Sequence, residues 1–121
     1  MIGTLDVVVV DCPDPERLAD FYAELLGMQT VSRDADWCEI VPPGDARPFL
    51  AFQRADGYRA PQWPGQDVPQ QLHLDVKVDD LDVGEQQVLA IGATLTGAGA
   101  TTFRAYLDPA GHPFCLVRPA D

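Results

Sequence analysis

The feature that most constrains this chain is an internal duplication. Marker residues recur at an offset of 65 positions, so that Asp14 corresponds to Asp79 and Gly27 to Gly92. A Pro-Phe pair recurs in the same way on the last predicted strand of each copy. Each copy has the pattern of one strand, one helix and three further strands, and two copies fill the 121 residues. The sequence therefore predicts an α+β fold of two tandem β-α-β-β-β units.

The first copy carries clear start and stop signals for a helix. Asp14 is a favourable N-cap, Pro15 suits the first helical position, and Gly27 is a typical stop. Between them, apolar residues recur at spacings of three and four, which gives one apolar stripe. A β-branched run before the helix indicates a buried strand. The predicted strands of this copy are 4–11, 28–32, 36–41 and 48–54.

The second copy repeats this order with a weaker helix. Asp79 and Asp80 are the predicted cap of a helix over 81–91, which Gly92 ends. The predicted strands are 71–78, 93–96, 101–107 and 113–118. The intervening segment is rich in proline and glycine and is interpreted as a linker or a lid. We therefore expect one domain over 1–121, with unit one at about 1–54, the linker at about 55–70 and unit two at about 71–121.

Charge and cysteine content exclude several classes of protein. The net charge is −11, from 19 acidic and 8 basic residues, and Lys77 is the only lysine. Nucleic-acid or anionic-membrane binding needs a basic face, so neither partner is expected, and the acidity is interpreted as a source of solubility. The three cysteines are odd in number and form no C-x-x-C pair, which argues against a disulfide framework and a zinc ribbon. The start lacks the features of a secretory signal, so we expect a cytoplasmic protein.

Three motifs point to a known family. Residues 14–27 match D-x(6)-F-Y-x-x-x-L-G, residues 73–76 read H-L-D-V before V-D-D-L, and residues 108–114 read D-P-A-G-H-P-F. Together with the doubled unit, these resemble the glyoxalase/bleomycin-resistance/extradiol dioxygenase (vicinal oxygen chelate) superfamily. More narrowly, the chain is similar to its glyoxalase-like domain branch. The resemblance covers the whole chain and implies sheets that curl into a cup, with the helices outside.

The resemblance also implies where a metal would bind. Metal-dependent members hold one divalent ion with side chains from the first and last strands of each unit, usually histidine and glutamate. Carried onto this sequence, those positions are Val7, Leu50, His73 and Cys115. Asp6 is adjacent to Val7 but points to the other face of a strand. Since Val7 and Leu50 cannot coordinate a cation, we expect no family-type metal centre and no cofactor, with a divalent metal ion as the alternative.

His73 and Asp75 are the candidate catalytic residues. An imidazole on the expected strand suits hydrogen bonding or acid/base chemistry, and a carboxylate two residues on shares its face and orients it. The alternative is a structural pair in a partly buried strand. Cys115 would meet His73 across the cup as the start of a nucleophile or as half of a soft-metal site. The alternative for Cys115 is a packed strand cysteine.

Aromatic and polar side chains elsewhere are candidate ligand contacts. Three aromatic residues suit the wall or lid of a pocket for a flat organic molecule. These residues are Trp37, Tyr58 and Trp63. The alternative for Trp37 is packing in the core, and the alternative for Trp63 is a contact in a dimer. Arg104 and Tyr106 share one face of a strand and suit an acidic or phenolic group of a ligand. The alternative for these two is a solvated face.

Two functions follow from these residues. The first is a metal-free binding module that holds a small aromatic or hydrophobic molecule, as drug-sequestering members of the superfamily do. The alternative is a superfamily enzyme, a lyase, isomerase or dioxygenase-like catalyst, that uses His73 with Asp75 or Cys115. We also expect a homodimer, because an open sheet favours covering its edges.

Overall fold

The duplicated sequence folds as two copies of one β-α-β-β-β unit, which confirms the predicted fold class. The computed structural model describes residues 1–2, 4–44, 49–63, 65–70 and 72–118. The chain divides into two units, Met1–Tyr58 and Arg59–Asp121. In the described part of the chain, each unit contains one four-stranded mixed sheet and one helix.

In the first unit, the last strand lies beside the first. Its elements are β1 (Val7–Cys12), α1 (Pro15–Leu26), β2 (Gln29–Arg33), β3 (Trp37–Val41) and β4 (Phe49–Arg54). The sheet order is β1-β4-β3-β2, with β4 parallel to β1 and antiparallel to β3. The helix has the predicted bounds, whereas β1 begins at Val7 rather than at residue 4.

The second unit repeats this topology. Its elements are β5 (Leu74–Lys77), α2 (Leu81–Ala90), β6 (Thr94–Gly99), β7 (Phe103–Leu107) and β8 (Pro113–Val117), in the order β5-β8-β7-β6. The prediction that β6 ends at residue 96 was wrong, because the strand extends to Gly99. The ladder with β7 is irregular between Leu95 and Gly99, and the Thr96 hydroxyl donates to the Ala105 carbonyl at 2.7 Å. Within the described residues, neither helix is long and apolar enough to cross a membrane.

Helix α1 covers one face of the first sheet. The Asp14 side chain accepts a hydrogen bond from the Arg17 backbone N–H, and Gly27 ends the helix with a φ of 65°. The Tyr22 ring stacks on Phe52 of β4 with centroids 5.5 Å apart. The α1 side of this sheet is therefore the side that carries Phe52, and its buried side chains form the core of the unit.

Helix α2 covers the second sheet in the same way. The Asp80 side chain accepts from the Val83 backbone N–H at 3.0 Å, which caps the helix. Gly84 lies so close to the sheet that a Cβ there would be 3.0 Å from Leu116 Cδ1. Leu116 therefore faces α2, and Cys115 points to the opposite side because strand side chains alternate. We call the side of each sheet opposite its helix the far face.

A buried aspartate fixes the start of β8. Asp108 is 3% exposed, and its Oδ1 accepts hydrogen bonds from the backbone N–H groups of Ala110 at 2.8 Å and His112 at 3.0 Å. Gly111 adopts a φ of 88°, which favours glycine. The D-P-A-G motif is therefore a turn that sets where β8 begins, and with it the position of Cys115.

Candidate functional site

Three side chains of different chemistry meet on the far face of the second sheet. Asp75 of β5 and Cys115 of β8 are direct partners across two parallel strands. His73 lies two residues before Asp75, and its Nε2 is 3.5 Å from Asp75 Oδ1. One donor atom from each of the three lies within 4.8 Å of the other two. We call these residues the His-Asp-Cys cluster.

The cluster is accessible but its thiol is not activated. The side chains of His73 and Asp75 are 46% and 56% exposed, and Cys115 is half-buried. Burial raises the pKa of the Cys115 thiol, and the charge of Asp75 and a hydrogen bond to it raise that pKa further. Because the thiolate is the nucleophilic form, this environment disfavours nucleophilic catalysis by Cys115. The geometry instead suits hydrogen bonding, proton transfer by His73, or metal coordination.

An apolar patch lies beside the cluster on the same face. The strand register places Phe103, Val117 and Lys77 in one row across β7, β8 and β5, two residues along from the row of Cys115 and Asp75. Phe103 is 38% exposed, and Val117 is half-buried. Neither Phe103 nor Lys77 was predicted as a site residue from the sequence. The sequence could have indicated Lys77, because side chains two residues apart on a strand share one face, and residues 73, 75 and 77 follow this spacing.

Trp37 lies on the far face of the first sheet with a polar partner. Its indole N–H donates to Glu39 Oε1 at 3.0 Å, and both side chains are half-buried. The intervening Cys38 pairs with Phe52, which faces α1, so Trp37 and Glu39 point the other way. Glu39 was not predicted from the sequence, although its spacing of two residues from Trp37 on a strand indicates a shared face.

The structure places Arg104 and Tyr106 on the α2 side of the second sheet, away from the cluster. The Tyr106 hydroxyl donates to Glu85 Oε1 at 3.0 Å, and Arg104 pairs with Asp82 at 2.7 Å. Burial, and then the hydrogen bond and charge of Glu85, raise the pKa of Tyr106 to about 12. The two side chains help to line a cleft of about 270 Å³ formed by α2, β6 and β7. Any ligand contact they make therefore belongs to that cleft and not to the cluster.

Tyr58 and Trp63 lie outside the helices and strands. Tyr58 is the last residue of the first unit, and its backbone N–H donates to the Ala55 carbonyl at 3.3 Å. Trp63 belongs to the second unit and is 36% exposed. Their role as the wall or lid of a pocket stays a prediction.

Comparison with known proteins decides the family. The sequence pattern of the glyoxalase-like domain matches residues 7–117, which includes every strand and helix of both units. This chain belongs to the glyoxalase-like domain family. The predicted resemblance to the vicinal oxygen chelate superfamily is thereby confirmed. No curated protein matches the chain.

Solved structures share the fold of this glyoxalase-like domain at low sequence identity. A glyoxalase/bleomycin resistance protein/dioxygenase family enzyme from Burkholderia phytofirmans PsJN is 18% identical, with a TM-score of 0.73 and coverage of 96% of this chain and 98% of that one. The fosfomycin resistance protein FosX from Listeria monocytogenes is 12% identical, with a TM-score of 0.70 and coverage of 99% and 94%. TnmS3, an antibiotic binding protein from Streptomyces sp. CB03234, is 21% identical, with a TM-score of 0.58 and coverage of 98% of both chains.

The metal centre that the superfamily implies does not fit this glyoxalase-like domain. The assignment of Leu50 to a ligand position was wrong, because the side chain of Leu50 lies on the α1 side of the sheet, as that of Phe52 does. On the far face, Ala51 pairs with Val9 as Cys115 pairs with Asp75. Val7 is on this far face too. Neither an alanine nor a valine side chain carries a donor atom, so these positions of the first unit supply no ligand.

Proposed function

We propose that this glyoxalase-like domain binds a small, mainly hydrophobic or aromatic molecule on the far face of its second sheet, without a family-type metal centre. The observation that supports this most is the His-Asp-Cys cluster beside the patch of Phe103 and Val117. Binding sites commonly combine apolar walls with a few convergent polar groups. The apolar patch would hold the body of the ligand, and His73 and Asp75 would hydrogen-bond to its polar group.

One of the solved structures agrees with binding as a use of this fold. TnmS3, which shares the fold, is an antibiotic binding protein. A fold alone does not fix a function, so the proposal depends on the side chains of this chain. Lys77, in the row next to the cluster, adds a positive charge that favours a ligand with an acidic or phenolic group.

The test is a thermal-shift screen of small aromatic and hydrophobic molecules. A ligand present at 100 times its Kd should stabilise the protein by about 2.7 kcal/mol. We expect this stabilisation to shrink in His73→Ala and in Phe103→Ala. Leu95→Ala is a matched apolar control, because Leu95 is 55% exposed and its register partner Tyr106 faces α2. The proposal fails if no compound stabilises the protein, or if the hits stabilise both far-face variants fully.

The second candidate function is catalysis by His73 with Asp75. The 3.5 Å separation of Nε2 and Oδ1 favours it, since a carboxylate beside an imidazole orients it for proton transfer. A screen for lyase, isomerase and dioxygenase activities should then find one that falls about 10²–10⁴-fold in His73→Ala. His112→Ala, which changes the other histidine, should retain it. An activity equal in the wild type and in His73→Ala would exclude this role.

A further inference from the structure

We propose that the cleft formed by α2, β6 and β7 is a second binding site, which takes a small organic molecule with one protonated amino group. The cleft has a volume of about 270 Å³ and lies on the α2 side of the second sheet. The His-Asp-Cys cluster lies on the far face of that sheet, so this site is separate from the proposed ligand site and goes beyond the proposed function. Pockets for drug-sized molecules begin at about 300 Å³, so the cleft suits a smaller, fragment-sized molecule.

A bulge in β6 shapes one wall of the cleft. In the ladder with β7, Leu95 pairs with Tyr106, and the next pair is Gly99 with Arg104. Four steps along β6 therefore correspond to two steps along β7, and the extra residues bulge out of the ladder. A side chain at position 99 is excluded, because a Cβ there would lie 2.6 Å from the Phe103 carbonyl oxygen. Residues 97–100 are all glycine or alanine, so no bulky side chain of the bulge fills the space beside it.

The charges in and beside the cleft favour a cation. Arg104 lines the cleft, and its guanidinium lies 2.7 Å from a carboxylate oxygen of Asp82 and 3.6 Å from one of Glu85. One guanidinium beside two carboxylates leaves one negative charge in excess. An acidic ligand would meet this excess, whereas a protonated amine would balance it.

Glu85 is the residue that would hold the amino group. Its Oε1 accepts a hydrogen bond from the Tyr106 hydroxyl at 3.0 Å. Burial is the main cause that raises the pKa of Tyr106 to about 12, so this hydroxyl stays protonated near neutral pH and holds the carboxylate in place. Within the part of the chain that the structure describes, Glu85 Oε2 accepts no hydrogen bond. An ammonium group would donate to it in a charge-assisted bond, and the Leu95 side chain would contact the apolar body of the ligand.

Benzylamine, benzyl alcohol and benzoate are the probes that test this site, because they share one ring and differ in charge. Each is titrated into the full chain at neutral pH, and the backbone amide signals of residues 97–100 are followed by NMR. We expect benzylamine to shift these signals saturably. The alcohol and the acid should bind at least about tenfold more weakly, because neither carries a charged donor for Glu85.

Three variants separate recognition of the amine from general effects of charge and shape. Glu85→Gln keeps an oxygen that accepts from Tyr106, and it should weaken benzylamine binding about tenfold without changing the affinity for benzyl alcohol. Leu95→Ala removes an apolar wall and should weaken both probes. Asp79→Asn removes an exposed carboxylate of the same unit outside the cleft and should bind benzylamine as the wild type does.

Four results would overturn the proposal. They are unshifted signals of residues 97–100, a benzoate or benzyl alcohol affinity equal to that of benzylamine, an affinity for benzylamine that Glu85→Gln leaves unchanged, and equal losses in Glu85→Gln and Asp79→Asn. The far-face variant His73→Ala should bind benzylamine as the wild type does, and a loss there would place the amine on the far face and equally contradict the proposal. Failure of the cleft site leaves the proposed ligand site standing, because the far-face variants test that site separately.

Discussion

Replacing Asp75 with asparagine should make Cys115 of the metal-free protein more reactive at neutral pH. The charge of Asp75 and its hydrogen bond are two of the causes that raise the pKa of the Cys115 thiol, and Asp75→Asn removes the charge. The pKa of Cys115 should therefore fall, and a larger fraction of the thiol should be thiolate at a given pH. The thiolate is the form that an alkylating reagent attacks.

The size of the effect follows from the geometry of the cluster. At a separation of up to 4.8 Å, two unit charges interact by about 1 kcal/mol in the dielectric of water. Because the Asp75 side chain is 56% exposed, water screens its charge, and the energy for the dielectric of water is the appropriate one. An energy of about 1 kcal/mol raises the thiolate population about fivefold. Because a less basic thiolate is a weaker nucleophile, with a Brønsted coefficient of about 0.4–0.5, the gain in rate is about two- to threefold.

The assay is the rate of iodoacetamide labelling of Cys115, followed by mass spectrometry across a range of pH in the presence of a chelator. Asp75→Asn should react faster below the pKa of the thiol and slightly more slowly above it, so the two pH profiles cross. Asp79→Asn should follow the wild type. Cys12 and Cys38 are fully buried and provide an internal reference for unfolding. Profiles that coincide, or an Asp75→Asn variant that is slower near neutral pH, would refute this account of the cluster.

Three further predictions concern stability and assembly. Tyr106→Phe should cost about 1.5–3 kcal/mol in urea unfolding, because it removes a hydrogen bond to the charged Glu85. Since folding raises the pKa of Tyr106 from 10.0 to about 12, this stabilisation should be complete below about pH 10 and decline as the pH rises towards 12, and Tyr106→Phe should lack that decline. Phe52→Ala should cost about 3–5 kcal/mol through the lost buried ring that stacks on Tyr22, whereas the exposed Leu95→Ala should stay within about 0.5 kcal/mol of the wild type. Light scattering at micromolar concentration should give the mass of a homodimer, and a monomer mass would contradict that prediction.

The helix and turn signals of the sequence predicted the fold well because they act locally. Asp14, Pro15 and Gly27 bound α1 as expected, since capping and left-handed backbone are properties of a few neighbouring residues. Strand ends were less accurate. The irregular ladder after Leu95 contains Gly97 and Gly99, both with positive φ, and the Thr96 hydroxyl donates to the Ala105 carbonyl of another strand. A partner on another strand is not visible in a local sequence pattern.

The site was predictable only where strand alternation was enough. It places His73 and Asp75 on one side, and it places Arg104 and Tyr106 on one side too. It does not say which side a helix covers, because that depends on contacts such as Gly84 with Leu116. The same missing information, which side of the sheet the helix covers, explains why the ligand position was wrongly assigned to Leu50. Counting along the chain selected a residue on the α1 side, whereas the strand register selects Ala51.

The most direct test of the binding site uses the fact that the chain has two histidines, His73 and His112. The imidazole signals of both are followed by NMR while a stabilising compound from the thermal-shift screen is added to the protein. If the ligand binds on the far face of the second sheet, the signals of His73 shift saturably and those of His112 stay in place. A compound that stabilises the protein and leaves His73 unshifted, or that shifts His112 instead, would contradict the proposed site.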